Sequence, residues 1–226
     1  MSMQTMEKAM KRNYITDSSI PLTSYDLISR TIYHEAGHAA AIYLYNKQQQ
    51  FPPIHFRIAI EDLAQLDMPP EKACKFKLWN CVAKVEGGRL THLLPAPQSE
   101  DEEQKKAYLA AIKADIVNLL VGPLAEAKYV ALCDDENFSP LLVNVNALKF
   151  YGGSSDLEKV NEYLECFFDS HIRCLVLAEL FDCAFAFISD QSHWKAIETL
   201  ADHILLNNKQ TIDCEEVIQV IDQGRA

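Results

Sequence analysis

Residues 32–40 read IYHEAGHAA, with His34 and His38 four positions apart and Glu35 directly after the first histidine. In an α-helix four residues advance about 6 Å and about one full turn, so the two imidazoles project side by side from one face. Two neutral ring nitrogens so placed can take two corners of a tetrahedral zinc site. Glu35 is rotated about 100° from His34, too far round to be a natural ligand but able to reach a water at the metal. A carboxylate there can take a proton as the water attacks a carbonyl, then deliver it to the leaving amine. The competing reading is an amphipathic helix with two surface or core histidines, because HExxH fixes only three positions. The neighbours favour the metal: Ala36, Gly37, Ala39 and Ala40 are small and leave room for a metal, a substrate backbone or a packed helix. Gly37 costs about 1 kcal/mol of helix propensity relative to alanine, which a close approach would account for.

The elements that must position these residues follow from periodicity. Residues 1–22 are polar and expected to be flexible; the rest reads as a single domain, 23–226. Thr23 and Asp26 resemble a capping box, and Leu27, Ile28, Tyr33, Ala36, Ala40, Tyr43 and Leu44 recur at helical spacing, so HEAGH lies inside a long helix ending near Tyr45. β-like runs follow at 54–60 and 82–94, with Gly87-Gly88 marking a turn or bulge. An acidic linker, 98–103, leads into a helical pattern over 103–132, where Gly122-Pro123 predicts a kink or break. A loop over 134–153 precedes another helix start, at which Ser155 and Glu158 form a capping-box pair and Asp156 falls in the first turn. The remainder to Asp222 reads as helical, interrupted near Asp169 and Asp190, with a last start at 213–216. The fold class is therefore mainly α with a small β-sheet, α+β, with HEAGH on a long helix.

Composition narrows the function. A hydrophobic content of 49% over 226 residues is ample for a core. Lysine and arginine number 21 against 32 aspartates and glutamates, a net charge of −11, so no basic face is evident for nucleic acid. No apolar run is long enough for a signal-peptide core or a membrane span, and a cytoplasmic chain is expected. The seven cysteines are odd in number and show no CxxC pair. They read as reduced, mostly buried thiols, with no structural zinc on cysteine.

HEAGHAA, followed more than a hundred residues later by GGSSDLEKV (152–160), resembles the peptidase domain of FtsH-type, AAA+-linked zinc metalloproteases. Other parts are similar in order: GGRLTHLLP (87–95) to the strand beside that family's active-site cleft, IVNLLVGPLAEAKYVA (116–131) to its helix with a glycine and an Ala-Glu pair, and residues 197–222 to its helical end. The resemblance spans residues 24–222. It implies one zinc ion per chain held by His34, His38 and Asp156, with Glu35 as general base and acid. Without that context Asp156 reads as a capping or dipole-complementing residue. Glu126, in the matching Ala-Glu pair, could hold a ligand histidine, or be a solvated or core-paired carboxylate. Gly87, Gly88, Arg89, Leu90 and Thr91 are either a strand edge that pairs with an extended peptide or a plain core strand.

The family carries a membrane anchor and an ATPase ahead of the protease, and this sequence shows neither, having no GxxxxGK[ST] loop. Ser155 stands where the family usually has asparagine, Pro123 where it usually has arginine, and residues 167–187 look unlike their counterpart. These departures leave every ligand and the base in place and bear on substrate handling and hexamer formation. His55, His92, His171, His193 and His203 lack a partner at ligand spacing and read as structural or exposed, with His92 nearest the expected cleft. The expected function is a zinc metallopeptidase acting on peptides or unfolded proteins, as a homo-oligomer or with a partner ATPase in trans. The alternative is a catalytically idle, peptidase-like binding or assembly module that retains structural zinc.

Overall fold

The computed structural model describes residues 24–60, 83–94, 101–207 and 209–225. The expected flexible segment and Thr23 of the expected capping pair lie outside them, as do Cys74, Cys81 and residues 98–100 of the acidic linker. The described chain is mainly helical with one three-stranded antiparallel sheet. In order it forms α1 (Ser24–Ala40), β1 (Phe56–Ile60), β2 (Ala83–Gly87), α2 (Glu102–Cys133), α3 (Ser154–Phe167), α4 (Arg173–Ser189), α5 (Gln191–Leu206), β3 (Thr211–Asp213) and α6 (Cys214–Gly224). α1 carries HEAGH and runs on through a π-helical turn, Ala41–Tyr45.

α2 is the axis of the molecule: α1, α3 and α4 all pack on it, α5 packs on α1 and α6 on α5. Its start is capped by Asp101, whose carboxylate accepts from the backbone of Glu103 and Gln104. From Ala111 to Ala131 it is apolar on nearly every side, and 72% of its most apolar 18-residue stretch is buried. Length and composition alone would let it cross a bilayer; burial on this scale is the pattern of a core helix.

α1 crosses α2 at small residues. A Cβ on Gly37 would lie 2.6 Å from Ala125 Cβ, 3.0 Å from the Val121 carbonyl oxygen and 3.2 Å from Gly122 Cα. The glycine expected to mark a close approach therefore does so, and the neighbour is a helix. Tyr33 stacks on Tyr129 at 4.1 Å and on Trp194 at 5.8 Å, which fixes the rotation of α1 between α2 and α5. Lys128 closes the same corner, its Nζ 4.4 Å above Trp194 and donating to the Ile188 carbonyl at 2.8 Å.

The sheet has the order β2-β1-β3, with Ile58 facing Val85 on one side and Ile212 on the other. Phe56 and Ile58 are buried while Arg57 between them is exposed and paired with Glu86, the alternation of a half-buried strand. Among the described strands β2 has no partner on its outer edge.

Several expectations need correction. The Gly122-Pro123 pair does not break α2, which continues to Cys133. An interior proline costs about 3 kcal/mol, which the burial of this helix offsets. β2 stops at Gly87, and the run to residue 94 is not strand: Gly87 and Gly88 adopt φ of +87° and +77°, and Leu90–His92 is a 3-10 turn. α3 starts at Ser154 with Gly153 as its N-cap and no side-chain cap bond, so Ser155 is already helical and makes no capping box. β3 went unread because three residues carry too little alternation to signal a strand. Of the five described cysteines, all free, Cys133, Cys166 and Cys174 are exposed and only Cys214 is buried.

Gly37→Ala should lower stability by about 1–3 kcal/mol despite its gain in helix propensity, because the neighbouring Ala125 has no flexible end to move. Urea unfolding of the two proteins checks this. An unchanged or raised midpoint would show that the crossing has slack.

Candidate metal centre

α1, α2 and α3 bring His34, His38 and Asp156 together, with one ligand atom from each lying within 4.8 Å of the others. His34 Nε2 is 3.2 Å from Asp156 Oδ2, and His38 Nε2 is 3.4 Å from Asp156 Oδ1. Both histidines are buried, and Asp156 in the first turn of α3 is partly so.

The opposite nitrogens decide what these contacts mean. His38 Nδ1 lies 2.8 Å from the Asn118 carbonyl oxygen of α2. His34 Nδ1 lies 3.2 Å from the Tyr151 carbonyl oxygen and 3.3 Å from Glu126 Oε2. Carbonyl oxygens only accept, so each Nδ1 carries a proton and each neutral ring turns a lone pair toward Asp156. A lone pair facing a carboxylate at these distances is repulsive unless a proton or a cation stands between them. In the metal-free chain that role falls to protons. Burial opposes charging His34, but its hydrogen bonds to Asp156 and Glu126 outweigh it and hold the pKa well above the usual imidazole value. Burial opposes charging His38 too, and the Asp156 charge and hydrogen bond raise its pKa in turn. For Asp156, burial is outweighed by the His38 charge and by hydrogen bonds from both imidazoles, and its pKa falls well below the carboxylate range.

The pocket is thus built to enclose positive charge. Two ligand atoms held about 2.1 Å from a tetrahedral cation of zinc's size lie about 3.4 Å apart, close to the 3.2 and 3.4 Å from the imidazoles to separate oxygens of Asp156, while one atom from each of the three residues spans up to 4.8 Å. Glu126 is 2% exposed, and its second oxygen, Oε1, is buried without a hydrogen-bond partner, an acceptor that a nearby cation would satisfy. Space is reserved as well. A Cβ on Gly122 would lie 2.3 Å from His38 Nε2, and one on Gly152, where φ is +70°, would lie 2.8 Å from Glu126 Oε2 and 3.0 Å from His34 Nδ1.

Glu35 stands apart from the ligand cluster. Its Oε2 accepts the backbone N–H of Val85 at 2.7 Å, tying the carboxylate to β2. Both face a cleft of about 420 Å³ that also contains Arg89, Asp156 and Tyr163. Since the Gly88 amide donates to the His55 carbonyl, the strand register turns the backbone groups of Ala83, Val85 and Gly87 away from β1. Among the described residues the strand edge along the cleft is therefore 83–87, engaged only where Glu35 holds Val85 N–H. Of the expected segment, Gly87, Gly88 and Arg89 do line the cleft, but Leu90 and Thr91 are buried in the 3-10 turn with their amides turned inward.

Those amides end on Asp115, which sequence reasoning missed. This α2 carboxylate is 3% exposed and accepts from Leu90 N at 2.9 Å, Thr91 N at 3.1 Å and Thr91 Oγ1 at 2.9 Å. Burial raises its pKa against the pull of those donors. An aspartate inside the apolar run AAIKADIVNLLVG was the available signal, since such a position needs several donors to be tolerated. Of the remaining histidines, His92 is exposed outside the cleft, and His193 is buried between the Phe187 carbonyl and Gln48.

Compared with protein-family models and with curated proteins, the chain matches none.

Metal binding should release protons. Below the raised pKa values of His34 and His38 a metal must displace imidazole protons, so affinity should fall as pH falls, by about tenfold per pH unit for each proton displaced. Titration calorimetry in buffers of different ionisation enthalpy measures that release directly. Binding without proton release, equally tight at about pH 6 and pH 8, would contradict the charge balance described above.

Proposed function

We propose that the chain is a zinc-dependent metallopeptidase of FtsH-like architecture that hydrolyses peptide bonds in peptides or unfolded proteins, with one zinc ion on His34, His38 and Asp156. The observation that carries this reading is the convergence of two Nε2 atoms on one carboxylate, each ring being fixed through Nδ1 by an α2 or Tyr151 acceptor. Structural zinc sites favour four closed protein ligands, whereas three ligands beside an open cleft suit catalysis.

Zinc held there supplies Lewis acidity, which polarises a peptide carbonyl and makes water a nucleophile at neutral pH. The chain's residues do the rest. Val85 N–H holds Glu35 Oε2 and leaves the other carboxylate oxygen to take a proton from water and pass it to the leaving nitrogen. Asn118, Tyr151 and Glu126 keep the imidazoles in the tautomer that ligates. The outer edge of β2 offers the backbone groups of Ala83 and Gly87 and the Val85 carbonyl to an extended chain, so affinity would depend little on side-chain sequence. A partner ATPase acting in trans would widen the range of substrates to folded proteins.

Glu35→Gln separates the chemistry from the metal. Glutamine keeps an oxygen for Val85 N–H but cannot accept a proton, so zinc content should be retained while casein cleavage falls by roughly two to four orders of magnitude. Equal activity in the variant would sink the mechanism. A wild-type protein that holds zinc and cleaves nothing would favour the binding module.

The range of substrates gives a second check. Opening a folded domain means working against roughly 5–15 kcal/mol. The purified chain should cut a permanently unfolded protein and spare its folded parent, with ATP changing neither rate. Comparable digestion of the folded form would refute this picture.

A further inference from the structure

The face of α2 beneath the site is spaced at every fourth residue. Asn118 accepts from His38 Nδ1 through its carbonyl, Gly122 lies under the His38 ring, and Glu126 meets His34 Nδ1. These three positions hold the two histidine ligands. Asp156, the third, comes from α3, and the contact that sets its position is next to Gly122.

Pro123 is buried inside α2, where its ring removes a backbone donor and disfavours the helix. Its ring faces Gly153, the N-cap of α3, three residues before Asp156. A Cβ on Gly153 would come within 2.8 Å of Pro123 Cβ and 3.0 Å of Cγ, and within 2.8 Å of the Leu148 carbonyl oxygen. Gly153 is also tied by its own backbone, donating to Leu148 O at 3.1 Å and accepting from Leu157 N at 2.9 Å. The start of α3 is thus seated between a carbonyl and a ring that has no rotamer to yield.

We propose that Pro123 is a positioning residue for the third ligand: its ring sets how far the Gly153 N-cap stands from α2, and so where the Asp156 carboxylate meets the two imidazoles. The proposal rests on the metal reading of His34, His38 and Asp156. It also accounts for a proline kept within an otherwise uninterrupted core helix.

The test uses cobalt(II), whose visible absorption reports tetrahedral coordination, with affinity measured against a competing chelator. Pro123→Ala restores the backbone donor, so the metal-free protein should fold with an unchanged or raised melting midpoint. Its cobalt affinity should nevertheless fall about ten- to a hundredfold, the usual effect of disturbing a ligand's support, with a weakened visible band. Gly153→Ala approaches from the other side and should weaken binding similarly. Wild-type cobalt affinity in folded Pro123→Ala would overturn the proposal. If Pro123→Ala does not fold, Gly153→Ala decides alone, and wild-type affinity and spectrum there would overturn it. Failure of the wild-type protein to bind cobalt or zinc would instead defeat the metal reading beneath it.

Discussion

A buried imidazole is tolerated only when both of its nitrogens are occupied, and two of them sit side by side in this core. Much of the local architecture answers that requirement. α2 presents the Asn118 carbonyl to one ring and Glu126 to the other, and the turn before α3 brings the Tyr151 carbonyl to the second. With the Nδ1 positions filled, the Nε2 atoms have one direction left, and Asp156 is there. The carboxylates of Asp156, Glu126 and Glu35 around two neutral rings leave negative charge in a partly dry pocket. Such a pocket is stable only with protons or a cation inside it. The affinity for positive charge is therefore a consequence of how the core is satisfied.

That requirement explains why small residues concentrate here. The rings can reach α2 only if the two helices nearly touch, which is the work of Gly37 against Ala125 and of Gly122 beneath His38. A methyl at Gly122 would meet the His38 ring itself, and one at Gly37 would meet Ala125 across the crossing. Gly152 extends the pattern to the third element, since its backbone must pass Glu126 and His34 in a left-handed conformation.

What the sequence disclosed depended on the range of the signal. HEAGH on a long helix, Gly37 as a point of close approach and Asp156 in the first turn of a later helix were legible because each is a local pattern. The helical bulk of the chain was legible from periodicity for the same reason. The break offered at Gly122-Pro123 does not occur, because local propensity disfavours a helix there while tertiary burial, which no window of sequence contains, maintains it. The acceptors at Asn118 and Tyr151 had no side-chain signature at all, being backbone carbonyls. Leu90 and Thr91 read as strand from their residue types, yet a buried aspartate 25 residues away from Leu90 captures their amides and winds them into a turn. Asp115 itself was visible only as a charge out of place in an apolar run.

Asp115 also shows how the histidine–aspartate cluster and the strand come to share one frame. The carboxylate lies one turn before Asn118 on α2, so the helix that anchors His38 also holds the turn leaving β2. Tyr163 of α3, two turns beyond Asp156, approaches the same group, its hydroxyl 3.2 Å from Thr91 Oγ1 and 3.5 Å from Asp115 Oδ2. The helix carrying Asp156 and the turn leaving β2 are thereby both fixed to α2 at Asp115, while Glu35 joins α1 to the middle of that strand. Any shift of β2 relative to the histidines must break the buried hydrogen bonds at Asp115 or the half-buried one at Glu35, and buried groups left unpaired cost more than the bonds themselves contribute. The distance between the strand edge and the His34, His38 and Asp156 cluster is accordingly set by side chains that belong to neither.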